Sequence, residues 1–121
     1  MAEKMYKVEI IMNPTKFDAL KVALNDVGVD GITVTNALGC GHQKGHKEYY
    51  RGVAVDIKLM SKLKVEIVIC EVPLETVLDT INAVLRTGNV GDGKVFIYEL
   101  VDAVRIRTGD RGPDAIKAPR S

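Results

Sequence analysis

The residues of this chain best equipped for chemistry are Thr87-Gly88-Asn89-Val90-Gly91-Asp92-Gly93-Lys94-Val95-Phe96-Ile97, followed downstream by Arg105-Ile106-Arg107-Thr108-Gly109. Gly88, Gly91 and Gly93 let the backbone approach an anion closely and turn its N–H groups inward. Lys94, Arg105 and Arg107 add cations for charge-assisted hydrogen bonds to phosphate oxygens. Together they read as a polyphosphate cradle, so a nucleotide is the first ligand to consider. The plainer reading of the loop alone is a Gly/Asn/Asp turn ahead of a strand with an incidental surface lysine. The paired arginines weigh against it.

Gly88 to Lys94 also spells G-x-x-x-x-G-K, the opening of a P-loop, and the context contradicts that reading. A P-loop ends in Ser or Thr and opens a helix. Here Val95 follows the lysine, and Val95-Phe96-Ile97-Tyr98 is β-branched and aromatic, which predicts a strand. Phosphates would be held by a loop entering a strand.

The elements that must position this loop follow from the apolar periodicity. Tyr6, Val8, Ile10 and Met12 alternate with Lys7 and Glu9 as far as Pro14, a first strand and its end. Phe17, Leu20, Leu24 and Val27 recur at helical spacing up to Gly28. Ile32 to Thr35 predicts a second strand, and Leu63, Val65, Ile67 and Ile69 a third. Pro73 opens a second helix carrying Val77, Leu78, Ile81, Val84 and Leu85, and Val95 to Leu100 is the fourth strand. The order β-α-β-β-α-β predicts one α+β domain over 1–121, a ferredoxin-like sandwich with two helices on one face of an antiparallel sheet. One connection is abnormal: roughly two dozen residues, about 39–61, separate strands two and three, where a hairpin needs about two to five. Its glycine-rich, polar sequence from Gly39 to Gly52 cannot pack as core and reads as a functional loop. The tail, about 110–121, is polar and proline-bearing, and either lacks order or folds over a bound nucleotide.

At 121 residues the chain can bury enough surface to fold without disulfides or a structural metal. Seventeen basic against sixteen acidic residues, a net charge of +1, give no broad field for direct nucleic-acid binding. RNA binding on the sheet would also need aromatics on its central strands, and Leu63 to Ile69 has none. Cys40 and Cys70 have no C-x-x-C spacing, no signal sequence opens the chain, and no apolar run is long enough to span a bilayer, so a cytoplasmic protein is expected. Cys40, His42 and His46 lack a fourth ligand at finger-like spacing, and Cys70 reads as a small buried hydrophobe.

Four co-linear stretches, Gly41-x-Gln43-Lys44-Gly45-His46, Tyr50-Arg51-Gly52, Thr87-Gly88-x-x-Gly91-Asp92-Gly93-Lys94-Val95-Phe96 and Arg105-Ile106-Arg107-Thr108-Gly109, resemble the PII signal-transduction (nitrogen regulatory) family in order and spacing. The likeness covers about Met5 to Ile116. It implies a homotrimeric sensor of nitrogen and energy state that binds ATP or ADP in clefts between subunits and 2-oxoglutarate beside MgATP. Carried over by position, Gly91, Asp92, Gly93 and Lys94 would hold the phosphates, with Arg105, Ile106 and Arg107 reaching in. Thr33 and the Val68 backbone would meet the adenine, and Glu66 would line the cleft. Gly39, Cys40, Gly41, His42 and Gln43 would close over the nucleotide. Gln43 would coordinate magnesium, and Gly41, Gln43, Lys44, Gly45 and Lys62 would take 2-oxoglutarate. The long loop corresponds to the family's T-loop, placing Tyr49, Tyr50 and above all Arg51 in contact with a partner. The implied partners are an ammonium channel or a nitrogen-responsive transcription regulator or enzyme, with the membrane reached only through a channel partner.

The chain departs from the family at four positions. Val55 stands where some relatives carry a uridylylated tyrosine and Val53 where others carry a phosphorylated serine, which argues against both modifications. His42 replaces an arginine that contacts the terminal phosphate, and Asn13 replaces a lysine of the 2-oxoglutarate site. Losing two cations lowers the expected affinity by about 1–3 kcal/mol if each made a charged hydrogen bond. The competing function is a slow ATPase, or an adenylate sensor without a 2-oxoglutarate response. Against catalysis, Asp92 reads as a turn former and Glu66 lies on a strand, leaving no evident general base.

Overall fold

The structure, a computed structural model, describes residues 3–29, 31–40, 48–50, 53–55 and 59–117. β1 (Tyr6–Met12) is one of two interior strands, and Val8, Ile10 and Met12, alternating along it, give it one fully buried face. Val8, Ile10 and Met12 lie opposite Ile67, Val65 and Leu63 of β5 (Leu59–Ile69), and Val8 and Ile10 lie opposite Ile97 and Val95 of β6 (Lys94–Glu99). β2 (Ile32–Cys40) pairs with β5, so the antiparallel sheet runs β2-β5-β1-β6. β3 (Glu48–Tyr50) and β4 (Val53–Val55) form a separate hairpin within the long connection.

The turn Pro14–Lys16 leads from β1 into α1 (Phe17–Asp26), and α2 (Leu74–Leu85) follows β5. The Asn13 side chain caps that turn, accepting from the Thr15 N–H at 3.0 Å and hydroxyl at 2.9 Å. Leu20 and Leu24 of α1 and Val77, Ile81 and Leu85 of α2 fall at helical spacing and pack on the buried sheet face. This is the expected ferredoxin-like arrangement. A short α3 (Pro113–Ile116) ends the described chain.

β2 and β5, the second and third strands expected from the sequence, are longer than the apolar alternation implies. Their ladder continues through Asn36↔Leu63 and Gly39↔Met60 to Cys40↔Leu59. Leu38 and Leu59 are exposed, so this extension is held by main-chain hydrogen bonds rather than by a buried face and leaves no period-two signature. The segment between the paired strands is therefore 41–58.

The sheet face away from the helices carries charge. Lys64 pairs with Glu9 at 2.9 Å and with Glu66 at 3.8 Å, and Lys7 pairs with Glu66 at 3.1 Å. The Tyr98 hydroxyl donates to Glu9 at 3.0 Å, and the Lys7 ammonium stands 5.1 Å from the Tyr98 ring centroid. Glu9, only 8% exposed, tolerates its position because both partners satisfy it. The Lys64 and Tyr98 hydrogen bonds hold its carboxyl below the ordinary glutamate range.

Ile10 is completely buried between the layers, whereas Val22 on α1 is 58% exposed. Ile10→Ala is expected to cost about 2–5 kcal/mol by urea denaturation, and Val22→Ala no more than about 0.5. Similar losses at the two sites would contradict this placement of the core.

Candidate functional site

The glycine-rich loop starts where α2 stops. Arg86 leaves helical geometry, and Thr87 begins a segment organised by one carboxylate. Asp92 accepts the Thr87 N–H at 2.8 Å, the Gly88 N–H at 2.9 Å and the Thr87 hydroxyl, while Thr87 Oγ1 accepts the Asn89 N–H at 3.2 Å. The Thr87 hydroxyl, then the Thr87 and Gly88 amides, hold the Asp92 carboxyl below the ordinary aspartate range. Asp92 is thus the internal brace of the loop.

Gly93 has φ +108°, and a Cβ there would sit 2.0 Å from the Ile11 carbonyl oxygen. Only glycine permits that approach, which lays the end of the loop directly on β1. Lys94 then pairs opposite Ile11 and β6 begins. The lysine of the P-loop-like sequence therefore opens a strand, as its context predicts. Gly91 also has positive φ, +103°, but open space surrounds its Cβ position, so its backbone remains approachable from outside.

Beside the loop lies a cleft of about 710 Å³. One wall is the loop itself, from Thr87 to Lys94; the others come from Asn13 and Lys16, from Gly39 and Cys40 of β2, and from Met60 and Lys62 of β5, with Phe96 of β6. The Lys62 ammonium lies 3.4 Å from the Gly91 carbonyl, tying the strand to the loop. Of the residues expected in a ligand site, the cleft gathers Gly39, Cys40, Lys62, Gly91, Asp92, Gly93 and Lys94.

Others stand elsewhere in the same chain. Glu66 belongs to the charged network of the open sheet face. Val68 lines a separate cavity of about 120 Å³ with Gly28, Cys70 and Lys117. Thr33 lies on β2 opposite Glu66. Arg105 bonds Asp110 at 3.0 Å and the Lys117 carbonyl, while Ile106 is 97% exposed and Arg107 is also exposed. Lys117 pairs in turn with Glu3 and Glu71 at 3.7 and 3.8 Å, so the tail as far as Lys117 is fastened beside Val68 rather than over the 87–94 loop. Gly41, His42, Gln43, Lys44, Gly45 and Arg51 lie outside the described residues, as does His46. Tyr49 and Tyr50 fall in β3, opposite Ala54 and Val53.

Lys16 escaped the sequence reading, although it lines the cleft. The signal was the Asn-Pro-Thr-Lys turn, which sets positions 13 and 16 on one side, because residues three apart eclipse in a 3₁₀ turn. Cys40 is exposed, and Cys70 is partly buried with its thiol pushed up chiefly by burial, so it is a poor nucleophile at neutral pH. Among the described residues no three His, Cys, Asp or Glu side chains form a metal-binding group. No described helix is long and apolar enough to cross a membrane.

Comparison with known proteins gives this geometry a context. A family model for nitrogen regulatory protein P-II matches residues 5–110. The nitrogen regulatory PII-like protein of Bacillus subtilis is 46% identical over 116 residues, 96% of this chain and 100% of that protein. The nitrogen regulatory protein P-II of Rhodospirillum rubrum is 47% identical over 112 residues, 93% of this chain and 100% of its own length. A solved Bacillus subtilis GlnK-ATP complex matches with TM-score 0.80 and 42% identity over 95% of this chain and 98% of the other. Arabidopsis thaliana PII bound to citrate matches with TM-score 0.74 and 37% identity over 93% and 92%.

Because the folded-state pKa of Asp92 is depressed, the stability it lends the loop is complete above the ordinary aspartate value, about 3.9, and is lost as pH falls through the lower folded value. The Thr87 and Gly88 amide resonances are therefore expected to shift together in an acid titration by NMR, with a midpoint below that of an unperturbed aspartate. A midpoint at or above the ordinary value would contradict the bracing role.

Proposed function

This chain belongs to the nitrogen regulatory protein P-II family, and from that premise we propose that it is a regulatory binding protein whose ligand state is read by other proteins. In this reading ATP or ADP occupies the cleft beside the 87–94 loop. The observation that carries it is the loop itself: Asp92 fixes its shape, Gly93 seats it on β1, and Lys62 and Lys94 line the space next to it. Backbone N–H groups at Gly91 and Gly93 with the Lys94 ammonium suit phosphate oxygens. The ATP complex of the Bacillus subtilis relative supports the choice of nucleotide.

Thr33, Glu66, Val68, Arg105, Ile106 and Arg107 lie away from this cleft within their own chain. We assign them to the facing edge of a second copy, so that each site of a homotrimer combines the loop of one subunit with the arginine segment of its neighbour. The exposed Val101, Val104 and Ile106 beside those arginines favour burial of this segment against another chain. Gly39, Cys40, Gly41, His42 and Gln43 would close over the nucleotide. Gln43 would hold a magnesium ion with phosphate oxygens, the oxygen-rich set that this ion prefers. Gly41, Gln43, Lys44, Gly45 and Lys62 would bind 2-oxoglutarate, and citrate in the Arabidopsis relative is consistent with carboxylate effectors. Tyr49, Tyr50 and Arg51 would meet an ammonium channel or a nitrogen-responsive regulator, with ligands selecting the loop shape that docks.

Binding rather than hydrolysis is favoured by the state of the two carboxylates assigned to the site, Asp92 in the loop and Glu66 from the second copy. Asp92 is occupied by Thr87 and Gly88, and Glu66 by Lys7 and Lys64, so neither is poised to activate water.

Calorimetric titration with MgATP, with ADP, and with 2-oxoglutarate added to the MgATP complex tests the proposal. Micromolar nucleotide binding, strengthened by 2-oxoglutarate, is expected, with Lys94→Ala weakening ATP about 10- to 100-fold, the scale of a lost charged hydrogen bond. Absence of nucleotide binding in the unaltered protein would overturn the reading.

A further inference from the structure

The two arginines of the 105–109 segment stand in different states. The Arg105 side chain is only 19% exposed, with Nη1 donating to Asp110 Oδ2 at 3.0 Å and Nη2 to the Lys117 carbonyl. Arg107 is exposed and meets no such partner among the described residues. A free arginine gives up side-chain entropy when it grips a ligand, whereas one already held gives up less. Arg105 is therefore the arginine whose direction is decided before any ligand arrives.

Asp110 is itself fixed from several sides. Its Oδ2 also accepts the Thr108 hydroxyl at 2.7 Å, and Thr108 Oγ1 accepts the Asp110 N–H at 3.2 Å. The Arg105 N–H donates to the Asp110 carbonyl at 2.9 Å and the Gly109 N–H to the Arg105 carbonyl at 2.7 Å, so main chain and side chain close the same turn. Asp102 shuts the base of the segment, accepting the Ala103 and Gly112 amides at 2.8 and 3.0 Å and pairing with Arg111. A guanidinium carries about five N–H donors in a rigid fork, so the bonds to Asp110 and Lys117 aim Arg105 without exhausting it.

Two effects of opposite sign meet at Asp110. Its negative charge opposes a phosphate nearby, while its oxygen fixes the cation that would hold that phosphate. The pairing with Arg105 offsets the first effect and leaves the second.

We infer that Asp110 is a positioning residue for nucleotide binding, acting through Arg105 by holding the guanidinium so that its remaining donors are available to phosphates at the neighbouring copy's 87–94 loop. The inference rests on the shared-site reading above and deepens it by naming the group that prepares one of its two arginines. The accepting oxygen does this, and the charge does not.

The test titrates ATP by calorimetry into the unaltered protein, Asp110→Ala, Asp110→Asn, Arg105→Ala and Asp110→Ala/Arg105→Ala, all full-length, with folding checked by urea denaturation. Asp110→Ala is expected to weaken ATP about tenfold. Asp110→Asn, which keeps an accepting oxygen and drops the charge, is expected to bind at least as tightly as the unaltered protein. Once Arg105 is alanine, Asp110→Ala is expected to cause no further loss, a non-additivity that a merely structural aspartate would not show. Tighter binding by Asp110→Ala, equal losses for the Ala and Asn variants, or a loss that persists without Arg105 would each overturn the inference. Nitrogen-15 relaxation of the arginine Nε–H groups gives a second reading in the ligand-free protein: Arg105 is expected to be rigid and Arg107 mobile. Equal mobility of the two would overturn the inference even if Asp110→Ala failed to fold. Normal ATP binding with no effect of Arg105→Ala overturns it while sparing the nucleotide site at the 87–94 loop. An unaltered protein that binds no nucleotide overturns both readings together.

Discussion

The approach of Gly93 to the Ile11 carbonyl fixes how the catalogue of loop residues relates to the sheet. α2 must hand the chain back to the edge of β1, and it can do so at this point only because no side chain stands between the two backbones. The next residue, Lys94, is already in register with Ile11. Ile10 and Met12, on either side of Ile11, are buried in the core, so the position of the loop end is set by a strand anchored in that core. An anion cradle built this way needs little reorganisation on binding, which lowers the entropic cost of holding a ligand.

Charge is partitioned across the molecule in a way that separates structure from binding. On the open face of the sheet, Lys7, Glu9, Lys64, Glu66 and Tyr98 satisfy one another, and the buried Glu9 makes removal of a single member costly. In the cleft, the one carboxylate is spent on bracing its own loop, and Lys16, Lys62 and Lys94 line the space beside it. The proposed site thus draws its positive potential from a shortage of local acceptors rather than from net charge, which is only +1.

Much of this was legible in the sequence. The alternation in β1 and β5 and the helical stripes of α1 and α2 specified the sandwich, because each element has one buried face whose period is written in residue type. The Val-Phe-Ile-Tyr run after Lys94 was enough to reject a P-loop. The outer reach of β2 and β5 was not legible, since the ladder from Asn36 to Cys40 is held by main-chain bonds and buries no apolar stripe. Lys16 was missed because its relevance arises from a 3₁₀ turn bringing it beside two other elements, and isolated lysines carry no spacing signal. The arginine segment was recognised by type, but its distance from the loop within one chain follows only from the fold, where Arg105 is held by Asp110 and the Lys117 carbonyl.

That separation makes the central claim a statement about two chains: the nucleotide site is completed by a neighbouring copy. Complementation tests it most directly. A Lys94→Ala chain and an Arg105→Ala/Arg107→Ala chain, each defective in ATP binding alone, are unfolded together, refolded as a mixture and titrated with ATP. The account predicts that mixed assemblies regain a fraction of full-affinity sites, because some interfaces join the intact loop of one chain to the intact arginines of the other. A mixture that binds no better than its two components would contradict a shared site.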